Sequence, residues 1–411
     1  MQARQDSALP RFPTRGKTMR PANTSLLPVE AYTSPHWFER EQQELFAQTW
    51  QFVGMREEWS QAGHYACVDV GRAPLVIVAD ADGTLRAFHN ICRHRGTQLL
   101  SGSGQLDSGI RCPYHSWLYS LSGVLQGLPQ PDLFPDIQKT QLGLLPAAVE
   151  TWKGMVFVHT DPQAVPLASW FAGLEERLSP HKPQELREAA VHRYIIRANW
   201  KVFVENYLDG YHLRYLHRHS ASEYDHGRQD GRFVGLHWTF YQPLSAHGQQ
   251  KAPAWNAYVP RIPDYPEHVS GAFAPMLFPN IGILATEHFW TTVHVQPVAP
   301  DHTLIELRTR LVPDVVGAKE VRTVYNAFAQ SQDKPQAGRF DEGAAAQPES
   351  LLHSEDIMLE DIHVCQMTQR AMRSPAFGVG AYAKYYEDAL PQYQRHILSY
   401  VPVRKEAQVA A

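Results

Sequence analysis

Residues 90–96 read NICRHRG and residues 111–117 read RCPYHSW. Within them stand Cys92-Arg-His94 and, after 17 intervening residues, Cys112-Pro-Tyr-His115, so two thiols and two imidazoles fall into two short clusters of similar spacing. Each cluster suits the tip of a β-hairpin, and two such tips can clamp one metal centre between them. Gly96, Gly102, Gly104, Gly109 and Gly123 supply the tight turns and close backbone approach that such tips need. Short β-rich runs surround the clusters at His64–Val70, Pro74–Val78, Leu85–His89 and Gly154–His159. Turns such as residues 81–84 and 120–123 separate them, and a small all-β domain over residues 50–162 is expected.

Two chemistries use a Cys₂His₂ set. One is a tetrahedral zinc site; the other is a [2Fe–2S] cluster in which two histidines replace two cysteines on one iron. C-x-H is tighter than the C-x₂₋₄-C of a zinc knuckle, which favours the cluster. The flanks agree, because the pattern resembles the Rieske family, in which C-x-H is followed at this distance by C-x-x-H. The resemblance implies that Cys92 and Cys112 bind one iron of the cluster, and His94 and His115 the other. Ser116 stands where relatives usually have glycine.

Outward from this centre, 411 residues are ample for a second core, and 44% hydrophobic against 19% charged content excludes global disorder. A net charge of −4 gives no basis for a nucleic-acid or membrane-surface partner. No apolar run approaches a membrane span. Four cysteines in a long chain point away from a disulfide scaffold. Residues 1–30 read as a solvated basic tail, with a transit peptide as the alternative, and a cytoplasmic address is expected. Residues 31–49 contain an amphipathic helix, Pro35 to Phe46, with Thr33 or Ser34 as its cap. Beyond a connector at 161–166, residues 163–411 mix a helical stretch at 198–216, strands at 233–241, 281–284, 289–298 and 303–311, and a helix from about Ser354. The Ala-, Gln-, Gly- and Pro-rich segment 331–349 reads as a mobile loop.

The helical stretch carries Asp209-x-x-His212-x₄-His217. Asp209 and His212 share a helix face. His212 and His217 lie about 140° apart on an ideal helix, so both reach one metal only where the helix widens or ends between them. Two imidazoles and one carboxylate on one octahedral face form the usual non-haem Fe(II) oxygenase site, leaving positions for O₂ and substrate.

With both motifs, the chain resembles the α subunits of Rieske non-haem iron oxygenases, nearest the choline monooxygenase and glycine betaine oxygenase branch. The resemblance implies an α+β fold, an N-terminal all-β Rieske domain followed by a helix-grip (START-like) catalytic domain with an antiparallel sheet and long helices. It assigns the ligand carboxylate to Asp356, opening the last helix; Glu360 and Asp361 are alternative carboxylates, and His219 is an alternative second histidine. The bland reading of Glu355 and Asp356 is that they favour the first turn of a helix. To Asp209 it assigns an electron bridge to the Rieske histidine of a neighbouring subunit, hence a homotrimer or a stack of trimers. Electrons would come from NAD(P)H through a separate reductase, with or without a ferredoxin, since no dinucleotide fingerprint occurs in this chain.

The expected reaction is hydroxylation or oxidative N-demethylation of a small molecule, with aromatic-ring cis-dihydroxylation as the alternative. A Rieske electron carrier with an accessory domain and a zinc-stabilised binding protein are the readings from other classes. Trp238, Phe240, Tyr241, Phe289 and Trp290 are candidates for an aromatic cage around a quaternary ammonium, and at strand spacing they suit ordinary core equally well. Cys67 and Cys365 read as packed thiols.

Overall fold

A computed structural model describes residues 24–178, 181–313, 321–326, 336–337, 351–352, 354 and 356–404. Most of the basic tail lies outside the described residues, as does the 331–349 loop apart from Gln336–Ala337. The fold is α+β.

The N-terminal sheet contains seven antiparallel strands: β1 (Gln51–Met55), β2 (His64–Val70), β3 (Ala73–Ala79), β4 (Leu85–His89), β5 (Ser103–Gln105), β9 (Pro146–Trp152) and β10 (Met155–His159), in the order β1-β10-β9-β4-β3-β2-β5. A three-stranded sheet, β6 (Ile110–Arg111), β7 (Leu118–Tyr119) and β8 (Leu125–Gly127), interrupts them. The period of two decides which side chains go where. In β3, Leu75, Ile77 and Ala79 enter one small core, while Val76 and Val78 enter another that also contains Cys92 and Cys112. The four cysteines are free thiols, Cys365 fully buried and Cys67 half-buried with the Asn90 amide on its sulfur.

The second sheet is built from β11 (Arg187–Ile196), β12 (Asp230–Val234), β13 (His237–Pro243), β14 (Gly271–Phe273), β15 (Met276–Leu277), β16 (Ile281–Ala285), β17 (Trp290–Ala299), β18 (His302–Leu311), β19 (Val321–Asn326) and β20 (Gln336–Ala337). Its order is β12-β13-β14-β16-β17-β18-β11-β19-β20, with β15 bridging β13 and β16, and among the described residues only the β11–β19 pairing is parallel. The single strand expected at 233–241 is a hairpin, because Gly235 turns the chain with φ +57°.

The two faces of this sheet have different neighbours. Tyr194, Val293, Val295 and Ile305 face the helices Trp200–Leu208, Ile357–Ala371 and Ala389–Tyr400, which contribute Trp200, Ile362, Cys365 and Tyr393 to one core. Ile281, Ile283 and Trp290 instead pack with Phe52, Met55, Met155 and Phe157 of the N-terminal sheet in a second core. A cavity of about 690 Å³ follows that second seam, between Phe52, Asp69, Arg193, His294 and Glu306. The catalytic-domain sheet is thus a partition, with helices on one side and the β domain on the other.

The N-terminal segment closes the helical side. Ser34 caps the Pro35–Arg40 helix through the Trp37 amide, and the turn then widens to a π-helix over Glu41–Leu45. Glu41, fully buried, accepts from Lys201 Nζ (2.6 Å), Trp37 Nε1 (3.1 Å) and Trp200 Nε1 (2.9 Å). Burial is costly for both ions, and it is offset by this saturation of the carboxylate and by the aromatic faces of Tyr32 and Trp200, whose ring centres lie 5.3 and 5.0 Å from the ammonium.

Candidate metal centres and active site

The two Cys-x-His and Cys-x-x-His loops fold alike. The Cys92 amide donates to the Thr97 carbonyl (2.8 Å) and Gly96 N to Cys92 O (3.0 Å); Cys112 N donates to Trp117 O (2.8 Å) and Ser116 N to Cys112 O (3.0 Å). Gly96 has φ +74° and its counterpart Ser116 φ +57°, which is why glycine is the usual residue there: a side chain in the left-handed region is strained. Both sulfurs are buried, and Tyr119 Oη lies 3.3 Å from Cys92 Sγ. His94 Nδ1 and His115 Nδ1 face each other at 3.2 Å. His94 stacks on Trp117, and His115 stacks on the exposed ring of Tyr114. The donor set fits an iron–sulfur cluster in which the two thiolates hold the buried iron and the two imidazoles the iron nearer the surface.

On the helical side of the catalytic sheet, the Trp200–Leu208 helix ends at Asp209, whose backbone is extended. One further turn, Leu213–Leu216, has His212 at its start and His217 at its end. The helix therefore breaks before the motif, and a single short turn presents both imidazoles inward. The distances are 3.2 Å between the two Nε2 atoms, 3.0 Å from His217 Nε2 to Asp361 Oδ1 and 3.5 Å from His212 Nε2 to Asp361 Oδ1. A common point lies about 1.9 Å from all three atoms, close to the ~2.0–2.2 Å of imidazole and carboxylate bonds to a divalent metal. The three side chains can hold one metal ion.

This corrects the expectation for the carboxylate. Asp356 is the N-cap of the last long helix, its Oδ1 accepting the Leu359 amide at 3.1 Å, and it takes no part in the cluster. Asp361, one and a half turns further on, faces the histidines. His219 is exposed and points to no ligand set.

Each imidazole is held from behind by a carboxylate. Asp209 Oδ2 lies 3.3 Å from His212 Nδ1, while its Oδ1 accepts the Tyr211 amide at 2.6 Å. His217 Nδ1 donates to Glu360 Oε2 at 2.8 Å, and Ser220 Oγ donates to the same oxygen at 2.5 Å. Carboxylates of this kind fix the tautomer, so that Nε2 presents a lone pair to the metal. Glu360 is the residue the sequence reading placed among the alternatives for a ligand, and the geometry makes it a support. Burial opposes a charge on His212, yet its hydrogen bonds to the carboxylates of Asp209 and Asp361 more than reverse this and raise its pKa to about 10. Burial works against an ionised Asp361, but the two histidines hold it well below the usual carboxylate range. The pocket is built to stabilise positive charge.

The five aromatic candidates divide. Alternation along β13 puts Trp238, Phe240 and Gln242 on the helical face, and Trp238 packs against the helical core. Tyr241 points the other way, its ring 4.7 Å from Phe273 and its hydroxyl on Ser270 O. Trp290 is fully buried in the second core, and Phe289 sits in the turn between β16 and β17. Trp290 is therefore a core residue and Tyr241 a half-buried one, both on the far side of the sheet, and no cage assembles from the five.

Residues 49–141 match the family described as "Rieske [2Fe-2S] domain", and residues 183–402 match "Ring hydroxylating alpha subunit (catalytic domain)". Among curated proteins, the chain is 24% identical over 384 residues to choline monooxygenase, chloroplastic, of Atriplex hortensis, covering 91% of this chain and 77% of that protein. It is 34% identical over 232 residues to the glycine betaine monooxygenase oxygenase subunit of Chromohalobacter salexigens, covering 56% and 52%. Among solved structures, a quaternary ammonium Rieske monooxygenase in complex with L-carnitine superposes with a TM-score of 0.67 at 24% identity, covering 91% of this chain and 94% of that one.

Proposed function

Because the chain belongs to the ring-hydroxylating oxygenase α-subunit family, we propose that it oxygenates a small quaternary ammonium compound, hydroxylating it or removing an N-methyl group as an aldehyde. The protein is an oxidoreductase, the terminal component of a Rieske oxygenase system, and its cofactors are a Rieske [2Fe–2S] cluster and a mononuclear non-haem iron. Cys92, Cys112, His94 and His115 would hold the first, and His212, His217 and Asp361 the second. The mononuclear iron supplies O₂ activation, using electrons delivered through the cluster.

The chain's own residues do the rest. Asp209 keeps His212 oriented, and at 18% side-chain exposure it is the supporting carboxylate that reaches the surface. Glu360, at 3%, anchors His217 from inside the protein. Trp238 and Phe240 give the helical face of β13 an aromatic wall. The Rieske sheet packs on the opposite face of the catalytic sheet from the triad. That separation supports electron entry at Asp209 from the cluster of a neighbouring copy, in a trimer, with a separate reductase feeding the cluster.

The buried triad within a chain that also carries the Rieske loops is the observation that supports this reading most. The relatives' names, choline monooxygenase and glycine betaine monooxygenase, support the substrate class. The test is reductase-coupled O₂ uptake with product analysis on glycine betaine, choline, carnitine and naphthalene. Formaldehyde or a hydroxylated product from a quaternary ammonium compound is expected. A cis-diol from naphthalene, with the ammonium compounds untouched, would overturn the reading.

A further inference from the structure

Ser220 belongs to neither of the helical elements that carry the triad. It lies in the turn that leaves His217, where the Ala221 amide donates back to the His217 carbonyl at 2.9 Å and so brings residue 220 beside the imidazole. The turn is fixed from its far end. Ser245 N donates to Glu223 O (2.8 Å), Ser245 Oγ to Ser222 O (3.2 Å), and Lys251, on the helix Ala246–Tyr258, pairs with Glu223 at 3.2 Å. Thus placed, Ser220 Oγ lies 2.5 Å from Glu360 Oε2 and 3.3 Å from His217 Nδ1.

A hydroxyl has a single proton to give. The Nδ1–H of His217 goes to Glu360 at 2.8 Å, so the Ser220 proton and the histidine proton converge on one carboxylate oxygen. Among the described residues, His217 and Ser220 are the two side chains that donate to Glu360, which is 3% exposed and pairs with no Lys or Arg. With the hydroxyl gone, this buried carboxylate is left one charge-assisted bond short in a place closed to solvent. Asp209 behind His212 is anchored differently, by the Tyr211 main-chain amide. We propose, on the reading of His217 as an iron ligand, that Ser220 is a positioning residue of the mononuclear site. Its hydroxyl holds Glu360 against His217 Nδ1, which fixes the imidazole plane and the lone pair that Nε2 turns to the metal. The turn at Ser220 and the helix Ala246–Tyr258 are thereby linked to the metal through one hydroxyl.

The test is an anaerobic titration of ferrous ion into the full-length, cluster-loaded protein after a chelator has emptied the mononuclear site. Ser220→Ala should raise the dissociation constant about tenfold or more, the usual cost of losing a partner behind a ligating histidine, with the cluster spectrum unchanged. Ser220→Cys, close in shape but a weak donor, should follow it, and serves also should the alanine variant fail to fold. Glu360→Leu should weaken iron binding at least as much, and adding Ser220→Ala to it should cost nothing further, because the hydroxyl acts through that carboxylate. A serine with a merely structural role would lower affinity by the same factor in both backgrounds. Such additivity, or wild-type affinity in Ser220→Ala or Ser220→Cys, would overturn the role given to Ser220 alone. A wild-type protein that takes up no ferrous ion beyond its cluster would overturn the reading of His217 as a ligand, and the role of Ser220 with it.

Discussion

At the residue scale, the decisive distinction is between two Glu-Asp pairs five positions apart, Glu355-Asp356 and Glu360-Asp361. Sequence locates both near the start of a helix but cannot say where its first turn begins, and that phase decides which carboxylate turns inward. Asp356 has the N-cap role that an acidic residue takes at a helix start, and Asp361 has the metal-facing one. Asp361→Ala should therefore yield protein that keeps its cluster and loses the mononuclear iron, whereas Asp356→Ala keeps both and forfeits about 1 kcal/mol of stability with its cap. Iron analysis and a denaturation curve separate the two, and iron loss in the second variant alone would reverse the assignment. Cys92, His94, Cys112 and His115 were legible because their spacing is local. Glu360 behind His217 was not, because that pairing spans 143 residues of sequence and depends on two elements meeting.

At the scale of elements, the strands of the β domain could be read from alternation, and β2 and β4 fall where the pattern puts them. β11 escaped notice. Its sequence, REAAVHRYII, mixes polar and apolar residues on both faces, Arg193 beside Ile195 towards the cavity and His192 beside Tyr194 and Ile196 on the other, so alternation gives a weak signal. The helical stretch expected over 198–216, with a widening or an end between His212 and His217, ends earlier, at Asp209, and a separate short turn aims the two histidines at one point. The Trp200–Leu208 helix also depends on a neighbour distant in sequence. Lys201→Met strands the Glu41 carboxylate in the core and should cost about 3–5 kcal/mol, while the double change with Glu41→Leu should recover most of it. Urea denaturation of wild type and the two variants measures the difference, and a double variant as unstable as the single one would refute the account.

On the scale of the whole molecule, the buried histidines set its behaviour in acid. His237, 1% exposed, donates from Nε2 to Trp170 O (2.9 Å) and accepts the Phe278 amide at Nδ1 (3.0 Å), so its neutral form is fully bonded. Burial pushes it down to about 4. The unfolded chain takes up this proton below about 6.5 and the folded chain only near 4, so stability is complete above pH 6.5, falls through the interval and levels off below it. This one group should remove about 2.5 kcal/mol between pH 7 and 4.5. The stability difference between wild type and His237→Asn, followed by denaturation against pH, should shrink by that amount; a constant difference would show that the ring charges freely in the fold.

The partition formed by the catalytic sheet has one more consequence. A lone chain, with its electron store on one side of the wall and its reaction chamber on the other, would be like a lamp wired to the next house. With a neighbouring copy feeding the iron, as proposed, turnover per chain should fall on dilution, even though every chain still carries a full complement of metal.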